Sequence, residues 1–301
     1  ANSVRLKWIK QKINYMKNLK LLLVSLVILF SHNLTMGQGP KDGKNEKNPV
    51  KSALNAFKFR SIGPAFMSGR IADIAIDPKN ENVWYVAVGS GGVWKTENSG
   101  TTWTPLADNM PFYSTGCITI DPHNNASIWL GTGENVGGRH VGIGHGVYHS
   151  KDGGKSWKDM GLKKSEHISK IIVHPDDPNT VWVASQGPLW SPGGERGLFK
   201  TTNGGKTWKN TLDINEWTGV TDLVIDPNNP NILYAASWQK HRNVAALIGG
   251  GPGTSLYKSV DGGDNWSKID KGLPRSNKGK IGLAISPMQP NVLYAAVELD
   301  K

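Results

Sequence analysis

One turn motif recurs four times along this sequence, and that recurrence constrains the fold more than any other feature. The copies are TENSGTTW (96–103), SKDGGKSW (150–157), TTNGGKTW (201–208) and SVDGGDNW (259–266), and their tryptophans, Trp103, Trp157, Trp208 and Trp266, lie 54, 51 and 58 residues apart. Upstream of each sits a second marker: IAIDPKNENVWYVA (74–87), ITIDPHNNASIWLG (118–131), IIVHPDDPNTVWVA (171–184) and LVIDPNNPNILYAA (223–236). A fifth copy, LAISPMQPNVLYAA (283–296), has no turn motif after it.

Each repeat reads as four short strands. In the first, Ile71–Ile76 alternates, a Pro/Asn turn follows, Val83–Val88 and Gly92–Thr96 give two more strands, and Thr102-Trp103-Thr104 opens the last. Four strands per repeat without helical periodicity predict an all-β fold, a β-propeller of four-stranded antiparallel blades. The blades are expected at about 65–106, 114–162, 168–212, 220–273 and, incomplete, 281–301, so that four blades and the start of a fifth form a partial propeller over 57–301. Within the turn, Asn98, Asp152, Asn203 or Asp261 is expected to accept hydrogen bonds from N–H groups two residues on. A glycine two residues later supplies positive φ, and the Trp packs at the blade edge.

These residues resemble the Asp-box (BNR) repeat of sialidases, sortilin-type receptors and xyloglucan-degrading glycoside hydrolases, all β-propellers. The resemblance implies that the boxes are structural and lie away from the ligand face. The opening FRSIGPAFMSGRI (59–71) is similar to that of large exported bacterial proteins described as sortilin-like or glycosyl-hydrolase-like. The xyloglucan-degrading enzymes carry a catalytic Asp before the Gly-Gly of the first blade, where alignment on Gly91-Gly92 places Gly89 here. A sialidase opening would be Phe-Arg-Ile-Pro, which Phe59-Arg60-Ser61-Ile62-Gly63-Pro64 only approximates.

Charge separates the leader from the body. Residues 1–58 hold 11 Lys/Arg and 2 Asp/Glu, so +9 of the net +11 lies there and only +2 in the rest. A basic pI therefore gives no argument for a nucleic-acid partner. Met16-Lys17-Asn18-Leu19-Lys20 followed by LLLVSLVILF (21–30) has the pattern of a signal peptide over 16–37, with Thr35 and Gly37 before the cut. Its apolar run of ten is about half the ~20 residues that span a bilayer, so no membrane span is expected in the mature chain. Residues 1–15 read as an upstream, non-native segment, and 38–56 as a polar linker. The expected location is secreted, periplasmic or cell-surface.

Eight of the twelve tryptophans have repeat-defined places and Trp8 lies in the leader, which leaves Trp190, Trp217 and Trp238. They fall in connections expected at one end of the propeller: 185–197, 237–255 and a blade-to-blade link. With 131–146 these connections also carry Glu134, Arg139, His140, His145, Glu195, Arg196, Glu216, His241 and Arg242. Aromatic faces beside charges suit sugar or peptide recognition, so Arg139, Trp190, Glu195, Arg196, Trp217, Trp238, His241 and Arg242 are the candidate ligand contacts. Glu134 and Glu195 are the candidate acid and base if the chain is a hydrolase. No cofactor or metal is expected, and Cys117 reads as a small buried residue. The expected function is an exported binding scaffold for extracellular carbohydrate or protein, working with a further C-terminal part. The alternatives are a two-carboxylate glycoside hydrolase and a structural arm of a larger secreted protein.

Overall fold

A computed structural model describes residues 70–299. The expected upstream segment, signal peptide and linker (1–56) lie outside the described residues, as does Arg60 of the opening motif.

The described residues are all-β: five antiparallel sheets follow one another, a sixth, two-stranded one is inserted in the fourth, and there is one 3-10 turn at Lys163–Ser165. Blade one comprises β1 (Ile71–Ile76), β2 (Trp84–Val88), β3 (Gly92–Thr96) and β4 (Thr104–Pro105). Blade two comprises β5 (Thr115–Asp121), β6 (Asn124–Thr132), β7 (Val147–Ser150) and β8 (Lys158–Asp159). Blade three comprises β9 (Ile168–Val173), β10 (Val181–Ser185), β11 (Gly197–Thr201) and β12 (Lys209–Leu212). Blade four has β13 (Thr218–Ile225) and β14 (Leu233–Gln239), an inserted hairpin of β15 (His241–Arg242) and β16 (Leu247–Ile248), then β17 (Leu256–Ser259) and β18 (Ser267–Ile269). The fifth sheet pairs β19 (Lys278–Ser286) with β20 (Gln289–Leu299). In blade three the register sets Val183 against Ile171 on one side and Phe199 on the other. A strand with a partner on each side and blades against both faces is buried on both, and β10 is buried at every position, apolar from Val181 to Ala184 and ending in Ser185.

The cores lie between the blades. Tyr85, Val93 and Phe112 pack on Ile118, Ile128 and Tyr148 at the first seam, and Trp129, Val147 and Met160 on Ile171, Val183 and Phe199 at the second. Trp182 and Leu198 meet Val220, Leu223 and Leu233 at the third, and Ala236 and Leu256 meet Ile281 at the fourth.

Innermost strands are tied by side chains. Asp73 Oδ2 accepts from the Ile118 amide at 3.0 Å in the next blade, and Asp222 Oδ2 accepts from Leu283 N at 2.7 Å. Both aspartates precede the inner-strand apolar run at the same repeat position, so one device recurs at the first and fourth seams. Thr119 Oγ1 donates to Ile171 O at 2.8 Å at the second seam, and Ser169 Oγ to Val220 O at 3.1 Å at the third.

The box turns differ from expectation in one respect. The Asx oxygen accepts from the amide four residues on, not two: Asn98 from Thr102, Asp152 from Ser156, Asn203 from Thr207 and Asp261 from Asn265. Two further amides, including that of Gly154, are taken by the preceding hydroxyl, here Ser150 Oγ. Gly154 itself sits at φ 87°, a conformation that costs other residues strain. Trp157 Nε1 then donates to Leu106 O and Trp208 Nε1 to Met160 O, so each of these boxes bonds to the blade before it.

Candidate functional site

Strand alternation sends the boxes and the β1–β2 type turns to one end, where Gly153 N donates to Ala126 O and Gly204 N to Asn179 O. The β2–β3 type loops and blade-to-blade links emerge at the other, where Gln186 N donates to His167 O and Lys240 N to Trp217 O. All candidate ligand contacts belong to this second, loop end.

The structure divides them. Trp190 is 47 % exposed, and Arg139, His140 and His145 are exposed as well. Trp217 is half-buried with its ring 4.2 Å from that of His241 and the Arg196 guanidinium 5.9 Å from its centroid. Glu195 is partly buried and accepts from Lys164 N at 2.7 Å.

Four candidates do not offer free side chains. Trp238 is only 5 % exposed: its Nε1 donates to Gly249 O at 2.7 Å and its ring edge lies 3.2 Å from where a Cβ on Gly137 would stand. A glycine on a blade-two loop thus admits a blade-four indole, and Trp238, named from the sequence as a candidate ligand contact, is buried between loops instead of open at the surface. Arg196 is buried and spends four donors on its own loop, to the carbonyls of Gly193 (2.8 Å), Gln186 (2.7 Å), Ser191 (2.7 Å) and Pro188. Arg242 is buried where its own amide donates to Leu189 O, and its Nε finds no partner. Glu134 is buried in an ion pair with Arg70 at 2.6 Å and accepts from Gly142 N at 2.9 Å.

Glu134 also occupies notable space. A Cβ on Gly89 would lie 2.5 Å from Glu134 Oε1. The residue-89 position, where the resemblance places an acid in other enzymes, is therefore filled by a carboxylate reaching across from blade two.

Beneath the loops runs a polar strap that sequence reasoning missed. Lys240, fully buried, donates to Gln186 Oε1; Gln186 Nε2 donates to Asn135 Oδ1; and Lys280 Nζ donates to both Asn135 O and Asn135 Oδ1 at 2.8 Å. It joins loops of blades four, three and two to the inner strand of the fifth sheet. The Trp238 ring lies within 4.9 Å of Lys240 Nζ and 5.6 Å of Lys280 Nζ. Burial, reinforced by the Arg196 and Lys280 cations, lowers the Lys240 pKa from 10.5 to about 7. Burial lowers Lys280 too, and burial with Lys240 nearby takes His167 down to about 3. Lys280 and Asn135 line a cavity of about 280 Å³ bordered by Asp73, Lys170 and Asp222 along the inner strands. A column-by-column comparison of repeats carries the signal, because Gln186 and Trp238 fall at one position, directly after the Ser185 and Ser237 that follow the second-strand apolar run.

A larger cavity, about 650 Å³, opens at the box end between blades two and three and is lined by Trp129, His149, Trp157 and Lys206. Trp129 stacks on His149 with centroids 4.1 Å apart, and its Nε1 has no partner. Ser127 Oγ donates to Asp121 Oδ2 at 3.0 Å and shares a 2.8 Å hydrogen bond with His149 Nε2. The hydroxyl thus bridges acid and imidazole; a catalytic triad has the imidazole in the middle. Cys117 is buried, and burial pushes its thiol pKa up, so it offers no nucleophile.

Comparison with known proteins agrees with the fold. The sequence profile of the Sortilin-Vps10 family, described as sortilin, neurotensin receptor 3, matches residues 145–282. The chain is similar to a probable oligoxyloglucan-reducing end-specific xyloglucanase of Neosartorya fischeri, 23 % identical over 240 residues, covering 73 % of this chain and 26 % of that enzyme. It is similar as well to a xyloglucanase of Hypocrea jecorina, 25 % identical over 249 residues, covering 73 % and 28 %. The chain thus spans about a quarter of the length of these relatives. A crystal structure of an ancestral GH74 enzyme superposes with a TM-score of 0.60 at 25 % identity, covering 77 % of this chain and 28 % of that one. The chain is an Asp-box β-propeller, glycosyl-hydrolase-like in its relatives. Among the described residues no helix is long and apolar enough to cross a membrane.

Proposed function

We propose that this chain is the glycan-engaging part of an exported Asp-box propeller, a scaffold that binds extracellular polysaccharide at its loop end. The observation that carries the reading is the presence at the same loop end of a 47 % exposed Trp190 and a half-buried Trp217 whose ring lies 4.2 Å from that of His241, tilted by 35°. Aromatic faces of this kind match the apolar faces of sugar rings, and the polar rim fixes orientation. Similarity to xyloglucanases points the ligand class toward xyloglucan. Export is supported by the leader pattern at residues 16–37. Titration of the full-length protein with xyloglucan oligosaccharides tests the reading: Trp190→Ala and Trp217→Ala should each weaken binding about tenfold, and unchanged affinity in both refutes it.

Glu134 supports a second reading, a glycoside hydrolase, because its carboxylate lies at the residue-89 position. Two carboxyl groups are needed, and here Glu134 is held by Arg70 and Glu195 by the Lys164 amide. Release of reducing ends from xyloglucan by the full-length protein, abolished by Glu134→Gln, would establish hydrolysis; no release across neutral and acidic polysaccharides leaves the scaffold.

A further inference from the structure

One pairing recurs across the second and third strands of the blades: an aromatic residue faces a lysine. Lys95 Nζ lies 5.5 Å from the Tyr85 ring centroid, Lys200 Nζ 5.9 Å from that of Trp182 and Lys258 Nζ 5.4 Å from that of Tyr234. Blade two departs from this pattern, because Trp129 is paired with His149 and the two rings stack. The difference shows at the box of the following blade. At the third seam Lys200 crosses to Asp264 at 3.0 Å. At the second seam Lys206 holds the place of Asp264, and His149 lies flat on Trp129 with no ion pair across. The indoles turn differently too: a Cβ on Gly263 would lie 2.8 Å from Trp182 Nε1, whereas one on Gly205 would lie 3.0 Å from Trp129 Cη2. Where the third seam has a bridge, the second has the cavity of about 650 Å³, a volume that suits a small ligand.

The wall of that cavity is cationic. Lys151 and Lys158 of blade two and Lys206 of blade three line it, all three are exposed, and none forms an ion pair among the described residues. Burial, with Lys151 and Lys158 adding to it and Asp121 opposing, takes the His149 pKa down to about 4, so the imidazole is neutral at pH 7. Among the described residues the wall holds one acid, Asp121, which is buried and committed. Its Oδ1 accepts from the His123 amide at 2.9 Å and pairs with His123 Nδ1 at 2.8 Å, and its Oδ2 accepts from Ser127 Oγ at 3.0 Å. Asp152, next to Lys151, has its oxygens on the Ser156 amide and hydroxyl. Three ammonium groups therefore share one cavity with no anion of their own.

We infer that the box end of the second seam is a binding site for the tetrahedral oxyanion of a phosphate or sulfate monoester, held by Lys151, Lys158 and Lys206. Lysines are point charges with rotatable donors and suit an anion with several equivalent oxygens, whereas a planar carboxylate matches an arginine fork, and no arginine lines the cavity. A phosphate monoester carries about −1.5 to −2 at pH 7, enough to answer more than one ammonium group. The half-buried Trp157 on the same wall offers an apolar face to the skeleton that bears the ester. This site lies at the opposite end from Trp190 and Trp217 and stands independently of the glycan reading.

Calorimetry on the full-length protein at pH 7 compares glucose 6-phosphate, glucose 6-sulfate, glucuronate and glucose. The two esters should bind about tenfold or more tighter than glucuronate, glucose should not bind, and ester affinity should fall as salt rises from about 0.01 to 0.15 M. His149→Lys with Lys206→Asp copies the third seam, so that variant should fold and lose ester binding about tenfold or more. Lys151→Ala and Lys158→Ala, both at exposed positions, should each weaken it several-fold and carry the test if the paired variant does not fold. Xyloglucan binding at the loop end should be unchanged in all of them. Esters that bind no tighter than glucuronate, no binding of either ester, or full ester affinity in the folded lysine variants each overturn the site. Phosphatidylcholine vesicles with and without phosphatidic acid identify the source. Lysine-dependent sedimentation with phosphatidic acid places the monoester on a lipid headgroup, and ester binding without sedimentation places it on a sugar; both support the site.

Discussion

Glu134 stands where the side chain of Gly89 would begin: a Cβ on residue 89 would lie 2.5 Å from Glu134 Oε1. The two positions, 45 residues apart and in adjacent blades, share one volume.

That shared volume predicts a reciprocal exchange. Gly89→Asp alone should destabilise by about 1–3 kcal/mol, because Glu134 is pinned by Arg70 and the Gly142 amide and has no room to yield. Glu134→Gly alone leaves Arg70 without its carboxylate partner and vacates the space. The double variant should be more stable than the sum of the two predicts, by about 1–2 kcal/mol in urea melts. Additive losses would show that the residues do not compete.

The boxes predict an acid limb. Hydrogen bonds from the Ser156 hydroxyl and amide hold Asp152 down to about 2, and those from Asn265 hold Asp261 well below the usual carboxylate range. Carboxylates with depressed folded pKa values stabilise above about 4 and lose that stabilisation as pH falls toward about 2. Blades one and three use Asn98 and Asn203 at the same place, so Asp152→Asn with Asp261→Asn should fold. Its melting temperature should decline less steeply between about pH 4 and 2 than that of the parent.

Lys240 predicts a second rise of stability with pH, in the alkaline range. Its folded pKa of about 7 lies below its ordinary 10.5, so the unfolded chain binds more protons between those values and stability rises with pH across that window. The groups acting on it are Arg196 and Lys280, which lower its pKa, and Glu166, which opposes them. Lys240→Met should flatten the rise and raise the melting temperature at pH 7.

Trp129 and Trp182 predict a contrast. They occupy one repeat position, yet Trp182 Nε1 donates to Gly262 O at 3.1 Å across its seam while Trp129 Nε1 is buried without a partner. Replacement by Phe should therefore cost about 1 kcal/mol more at 182 than at 129. Equal costs would mean that Trp129 Nε1 finds an acceptor in solution.

The blades were legible in the sequence because the chemistry that makes them is local. Alternation, a Pro/Asn turn and the Ser/Thr-x-Asx-x-Gly box each act within about six residues, and four copies in register leave little ambiguity. The loop end was legible only in part. Trp190 is exposed because its loop turns outward, but Trp238 is buried by Gly137, about a hundred positions earlier in the chain. Arg196 looked like a ligand contact for its charge, whereas four backbone carbonyls within nearby sequence consume it. Lys240, Gln186, Asn135 and Lys280 come from four blades, and no local pattern marks residues whose partners are set by ring geometry.

Since apolar side chains interdigitate between sheets and not within them, a repeat as written in the sequence is half of two different cores. Recombination that inserts or deletes one whole period hands each neighbour a replacement face of the same kind, with the Trp157 and Trp208 type bonds re-formed to whichever blade precedes. Lineages can therefore change blade number or exchange loop ends without rebuilding an interior, which is a physical route by which one scaffold diversifies its ligands.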